Sequence, residues 1–109
     1  MHMEQALAYV CCSYDAGRTR IQKYCRKIYE MGYIPVSTNL CFRPFLTDNN
    51  AEDQQAFIEM SHLLLKRCRM IVVCGAEMTQ TMTAEVSMAD RLHIICTTLD
   101  GLIRIKETE

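Results

Sequence analysis

Met70-Ile-Val-Val-Cys74 decides how this chain folds. The run is short and wholly apolar, with β-branched residues at its centre, and a segment of helical period stands on either side of it. A strand with no polar alternation needs cover on both faces, and a parallel sheet between layers of helices provides it. Upstream, Ala51 to Cys68 reads as a helix with Phe57, Met60, Leu64 and Cys68 on one face. Downstream, Gly75 to Gln80 reads as a loop, and Thr81 to Leu92 as a helix with Met82, Val86 and Ala89 inward.

The same alternation continues outward. His93 to Cys96 reads as a fourth strand, and Leu102-Ile-Arg-Ile105 as a short fifth. Toward the amino end, Ala6 to Cys12 is a first strand, continuously apolar and followed by a polar turn from Ser13 to Gly17. Arg18 to Met31 is a helix, because Ile21, Tyr24, Cys25 and Ile28 fall at i, i+3, i+4 and i+7, and Gly32 stands at the C-cap position. Tyr33 to Val36 is a second strand whose proline suits a sheet edge or a strand start. Ser37 to Asn50 has no clear period, and a connection that long is often functional. Strands alternating with helices imply parallel pairing. The expected fold is a single α/β domain over 1–109, a flavodoxin-like three-layer sandwich with a four- or five-stranded parallel sheet.

Composition narrows the function classes. Half of the 109 residues are apolar, 23% are charged, and the formal net charge is −1. Such a chain has a core and no basic stripe, so no nucleic-acid partner is expected. The cysteines at 11, 12, 25, 41, 68, 74 and 96 are odd in number and include no Cys-x-x-Cys pair. Reduced thiols in a cytoplasmic setting fit them better than a disulfide framework. His2, His62 and His93 are scattered, so neither a metal nor a cofactor is expected. The apolar run from Ala6 to Cys12 is too short for a leader or a membrane span.

In open parallel sheets, ligands bind beyond the carboxyl ends of the strands. The loops holding Ser13 to Arg18, Thr38 to Asp48 and Gly75 to Glu85 should therefore converge. Ser13, Tyr14, Gly17 and Arg18 precede a helix, where backbone N–H groups attract anions. The alternative there is an ordinary turn with a solvated arginine. Glu85 falls in the first turn of its helix, between the inward positions Met82 and Ala89. It is either a nucleophile or general base, or an acid complementing the helix dipole for about 0.3–1 kcal/mol. Thr79 and Thr81 are candidate caps of that helix. Tyr9 and Tyr14 are candidate hydrogen-bond donors inside a site, or a core aromatic and a surface anchor respectively.

Three segments carry a resemblance. Tyr9-Val-Cys-Cys-Ser13 with Gly17-Arg18, then Gly32-Tyr-Ile-Pro-Val36 with Asn39-Leu40, then Ile71-Val-Val-Cys-Gly75 with Thr79-x-x-Met82-x-x-Glu85, together resemble the nucleoside 2-deoxyribosyltransferases and the related deoxynucleoside 5′-monophosphate N-glycosidases. The resemblance implies that Glu85 is the nucleophile on a deoxyribosyl group. It implies a nucleoside or nucleotide ligand held by Tyr9, Ser13, Gly17, Arg18, Asn39, Asp48, Gly75, Thr79 and Met82. It also implies a homodimer or larger assembly, since relatives complete their sites from a neighbouring subunit. Leu63 and Leu65 beside Leu64 offer apolar surface for that purpose. Asp48 is the candidate acid for the leaving base, by loop position. The departures are Thr81 where relatives have glycine, Arg69 where an acid is common, Asn39 where many small relatives have histidine, and Asp15 where the monophosphate-cleaving relatives have a base. A non-catalytic nucleotide-binding domain, or an interaction module with a filled pocket, stands as the alternative to an enzyme.

Overall fold

A computed structural model describes residues 5–108, so His2 lies outside the described residues. Four strands form one parallel sheet in the order β2-β1-β3-β4: β1 is Leu7–Cys11, β2 Ile34–Val36, β3 Met70–Val73 and β4 Ile95–Thr98. The helices are α1 (Arg18–Glu30), α2 (Thr38–Phe42), α3 (Ala51–Leu65), α4 (Gln80–Arg91) and α5 (Leu99–Glu107). The apolar run from Met70 lies inside the sheet, and the proline-bearing β2 lies at its edge, as the sequence implies.

Alternation along β1 divides the core in two. Ala8, Val10 and Cys12 face Ile21 and Ile28 of α1 and Leu102 of α5. Tyr9 and Cys11 face Leu65 of α3 and Met82 and Ala89 of α4. Successive side chains of a strand point to opposite faces, so a continuously apolar strand serves both layers at once. The register pairs Tyr9 with Val36 on one side and with Ile71 on the other. This fixes Tyr9 in the middle of the sheet, fully enclosed.

Four expectations need correction. Leu102 to Ile105 is not a fifth strand; it belongs to α5, which Thr98 caps by accepting from the Gly101 N–H at 2.9 Å. Leu99, Leu102, Ile103 and Lys106 fall at i, i+3, i+4 and i+7, a helical stripe that the short β-branched run disguises. The fourth strand starts at Ile95 and not at His93, because His93 turns the chain with φ 59°. The segment from Ser37 to Asn50 is not featureless, since Ser37 caps α2 and a single 3-10 turn, Arg43–Phe45, follows it. The buried stripe of α3 is Phe57, Ser61 and Leu65, one position away from the expected Met60 and Leu64. Leu65 is therefore core and offers no interface, whereas Leu63 is 60% exposed.

All seven thiols are free; Cys41 and Cys96 are exposed, Cys25 is half-buried and the others are buried. Among the described residues no helix is long and apolar enough to cross a membrane, and no three His, Cys, Asp or Glu side chains cluster to hold a metal.

Position in the sheet dictates the cost of truncation. Ile71→Ala empties a fully buried site on the interior strand and should cost about 2–5 kcal/mol in denaturant unfolding. Ile95→Ala on the exposed edge should stay within about 0.5 kcal/mol. Equal costs at the two positions would contradict this core.

Candidate active site

The carboxyl end of β1 opens onto a cleft of about 260 Å³. Its walls come from the turn after β1, from α2, from α3 and from the start of α4, so the loops expected to converge do so. Ser13, Asn39, Asp48, Thr79 and Glu85 all line it.

Glu85 is its chemical centre. Thr79 caps α4 by accepting the Met82 N–H at 3.2 Å, so the helix begins at Gln80 and Glu85 sits in its second turn. Helix-dipole stabilisation falls off within the first turn, so that alternative loses its footing. The side chain points to the sheet and is only 5% exposed. There the Tyr9 hydroxyl donates to Glu85 Oε2 at 2.5 Å and lies 3.0 Å from Thr38 Oγ1. The Tyr9 proton is committed to the carboxylate, which makes Thr38 the donor of that second bond.

The electrostatics follow from this burial. Desolvation pushes the Glu85 carboxyl above the usual carboxylate range, while the Tyr9 hydrogen bond, the Cys11 thiol and the charge of Arg43 pull it back down. Burial, then the Glu85 charge, drives the Tyr9 phenol far above its ordinary value, so it stays protonated and acts as a donor. Burial also raises the Cys12 thiol to about 11, against the lowering effect of Asn39. These thiols are structural neighbours of the site and are not activated nucleophiles.

Arg43 closes the opposite wall. Its guanidinium lies 3.7 Å from the centre of the Phe57 ring and 5.0 Å from that of Tyr14, and its Nε donates to Asn39 Oδ1 at 3.5 Å. Asn39 in turn donates to the Cys12 carbonyl at 3.3 Å, which pins α2 to the end of β1. The aromatic partners hold Arg43, the only cation lining this cleft among the described residues, in a fixed plane.

The remaining sequence candidates scatter. Gly17 and Arg18 line a neighbouring cavity of about 340 Å³, which shares Tyr14, Asn39 and Arg43 with the cleft. Gly75 lines a third depression; its φ of +85° favours glycine, and an added Cβ would stand 3.0 Å from the Tyr24 hydroxyl, which would have to shift slightly. Met82 is fully enclosed in the core and cannot touch a ligand, and Tyr9 reaches the cleft through Glu85 and Thr38. Thr81 lines the cleft without capping the helix. Sequence reasoning missed Arg43, Thr38, Phe57 and Gln54 as members of the site. For Arg43 and Phe57 the signal was faint, because an arginine and an aromatic 14 positions apart meet only once α2 turns back against α3.

Comparison with solved structures supports a nucleoside 2-deoxyribosyltransferase-like fold. The 2-deoxyribosyltransferase of the psychrotolerant bacterium Bacillus psychrosaccharolyticus superposes with a TM-score of 0.69 at 9% identity, over 85% of this chain and 71% of that one. By sequence, residues 6–99 match the family described as a domain of unknown function (DUF7768), and the chain belongs to that family. No curated protein matches the sequence.

Burial of Glu85 carries a sign for stability. Its folded pKa lies above the unfolded one, so the folded state binds the extra proton between the two values and loses stability as pH rises through that window. Glu85→Gln should therefore raise the thermal midpoint relative to the parent at neutral pH. The gain should shrink as pH falls below the ordinary glutamate range, where both side chains are neutral. Paired melts across pH 4–8 measure this, and a gain independent of pH would contradict the assignment.

Proposed function

We propose that this chain is a deoxyribosyl N-glycosidase or transferase acting on a nucleoside or nucleotide, with Glu85 as its nucleophile. One observation carries the reading: a carboxylate held almost entirely out of water opens into a cleft at the ligand edge of the sheet, with a phenol donor 2.5 Å away. Desolvation strips a carboxylate of the water that would blunt its nucleophilicity, and the phenol keeps enough of it ionised to attack.

Tyr9 occupies Oε2, and Oε1 is the attacking atom. It takes the anomeric carbon as the base departs, giving a glycosyl ester that water or a second base resolves, the logic of a retaining glycosidase. In this reading Asp48, which lines the same cleft, protonates the leaving base. Arg43 and Tyr14 supply a flat cationic and aromatic surface suited to a nucleobase. A cleft of about 260 Å³ falls just below the roughly 300–1,000 Å³ range of closed ligand sites. A neighbouring subunit would complete it, and exposed Leu63 and Ile58 on α3 give a second copy apolar surface to cover. The reading places the protein in the cytoplasm, where thiols stay reduced.

Incubation with a panel of deoxynucleosides and deoxynucleoside 5′-monophosphates, with free base followed by chromatography, tests the activity. Base release is expected from the parent. Glu85→Gln should lose several orders of magnitude while keeping its fold, and Tyr9→Phe should lose about 10–100-fold, as expected on removing one hydrogen bond to a charged group. Calorimetric binding with no release would assign the chain to the non-catalytic nucleotide-binding alternative.

A further inference from the structure

β4 is a sheet edge without the usual protection. It pairs with β3 on one side and, among the described residues, with no strand on the other. An open edge is a template for another strand, and folded proteins commonly blunt it with a charge or a proline. The opposite edge has such a device, because β2 carries Pro35. β4 has none: Ile95-Cys-Thr-Thr98 is uncharged and rich in β-branched residues. The helical layers do not reach over it either. Ile95 is 60% exposed, Leu92 just before the strand is 40% exposed, and Cys96 is open to solvent.

The flanking charges suit a second copy of this chain. The nearest formal charge before β4 is Arg91, and the nearest after it is Asp100. Antiparallel self-pairing lays the basic end of one strand beside the acidic end of the other, and the uncharged strand between them meets no like charge. Such a pair is isologous, so it closes. The two four-stranded sheets would join into one that ends at β2 on both sides, and proline guards both remaining edges.

We propose that β4 is the interface of a symmetric dimer in which Cys96 faces Cys96 of the second copy. Symmetry and chain direction fix the register. The two-fold axis that makes the strands antiparallel stands perpendicular to the sheet, so a residue is opposed only by one pointing to its own face. The axis therefore passes through a residue. An axis through Thr97 would set Ile95 against Leu99, which already belongs to α5. An axis through Cys96 sets Ile95 against Thr97 and Ile94 against Thr98, all outside the helices. Cys96 shares the face of its β3 partner Ile71, on the side of α3 and α4. The interface is small, so the dimer is weak and concentration-dependent. In dilute solution it dissociates, and unfolding there reads the single chain. This edge is separate from the exposed apolar surface of α3, and its role is independent of catalysis.

Sedimentation velocity from low micromolar to millimolar concentration should show the parent passing from monomer to dimer. Cys96→Lys and Cys96→Glu each set like charges face to face and should weaken the dimer roughly tenfold or more. Mixed in equal amounts, the two variants should restore it, which requires residue 96 to face itself. Cys96→Ser should dimerise like the parent. Circular dichroism checks that these variants, altered at an exposed position, keep the fold. Opposed residues of an antiparallel pair stand about 4.5–5.5 Å apart at Cα, within disulfide reach. Diamide, which takes up the two protons and two electrons of the thiols, should therefore link the parent dimer through Cys96 and not through the exposed Cys41. A parent that stays monomeric throughout overturns the proposal. So does a dimer unmoved by the charged variants, or one that Leu63→Asp abolishes and Cys96→Lys spares, which would place the interface on α3. Failure of the mixture to recover, or a link through Cys41, overturns it equally.

Discussion

The hydrogen bond from the Tyr9 hydroxyl to the Glu85 carboxylate is the constraint around which the rest of this structure is arranged. An ionised carboxylate taken out of water without a partner is too costly to persist, and it would neutralise or be expelled. A donor fixed in the middle of a parallel sheet removes that choice. Tyr9 cannot move, because β2 and β3 flank its backbone and its ring is enclosed by α3 and α4. The carboxylate is therefore held at one point on the ligand edge of the sheet, partly desolvated and partly compensated.

That placement depends on the parity of β1. Odd positions carry Tyr9 and Cys11 to the α3–α4 face, and even positions carry Val10 and Cys12 to the α1–α5 face. A register shift of one residue would put the phenol among the side chains of α1 and leave Glu85 alone in the core. The second half of the site is built by short-range devices. Ser37 starts α2, Asn39 ties it to the end of β1, and α2 delivers Arg43 to the rings of Phe57 and Tyr14. Strong sheet pairing thus sets the buried carboxylate, and capped turns set what surrounds it.

The sheet was legible because apolar runs such as Met70–Val73 admit few alternatives, and helices with a full stripe, such as α1, declare themselves. Leu102 to Ile105 misled because a four-residue run carrying two isoleucines reads the same in a strand and on a helix face; the Thr98 cap separates the two. Glu85 was legible from spacing and from the resemblance together, and neither showed that its partner is Tyr9, 76 positions earlier. Arg43 was visible as a charge in a long connection, but its stacking partners come from other elements. Ser61 was invisible for a further reason: a serine in a helix reads as surface, and the expected stripe was therefore placed on Met60 and Leu64, one position away. Buried polar residues break the very pattern by which burial is inferred.

The most direct measurement is of the covalent intermediate itself. The protein is mixed with a deoxynucleoside, quenched in acid within the first turnover, digested and sequenced by mass spectrometry. The account predicts a deoxyribosyl ester on the peptide carrying Glu85, absent from the Glu85→Gln protein. Base release with no adduct, or with the adduct on any other residue, would contradict it.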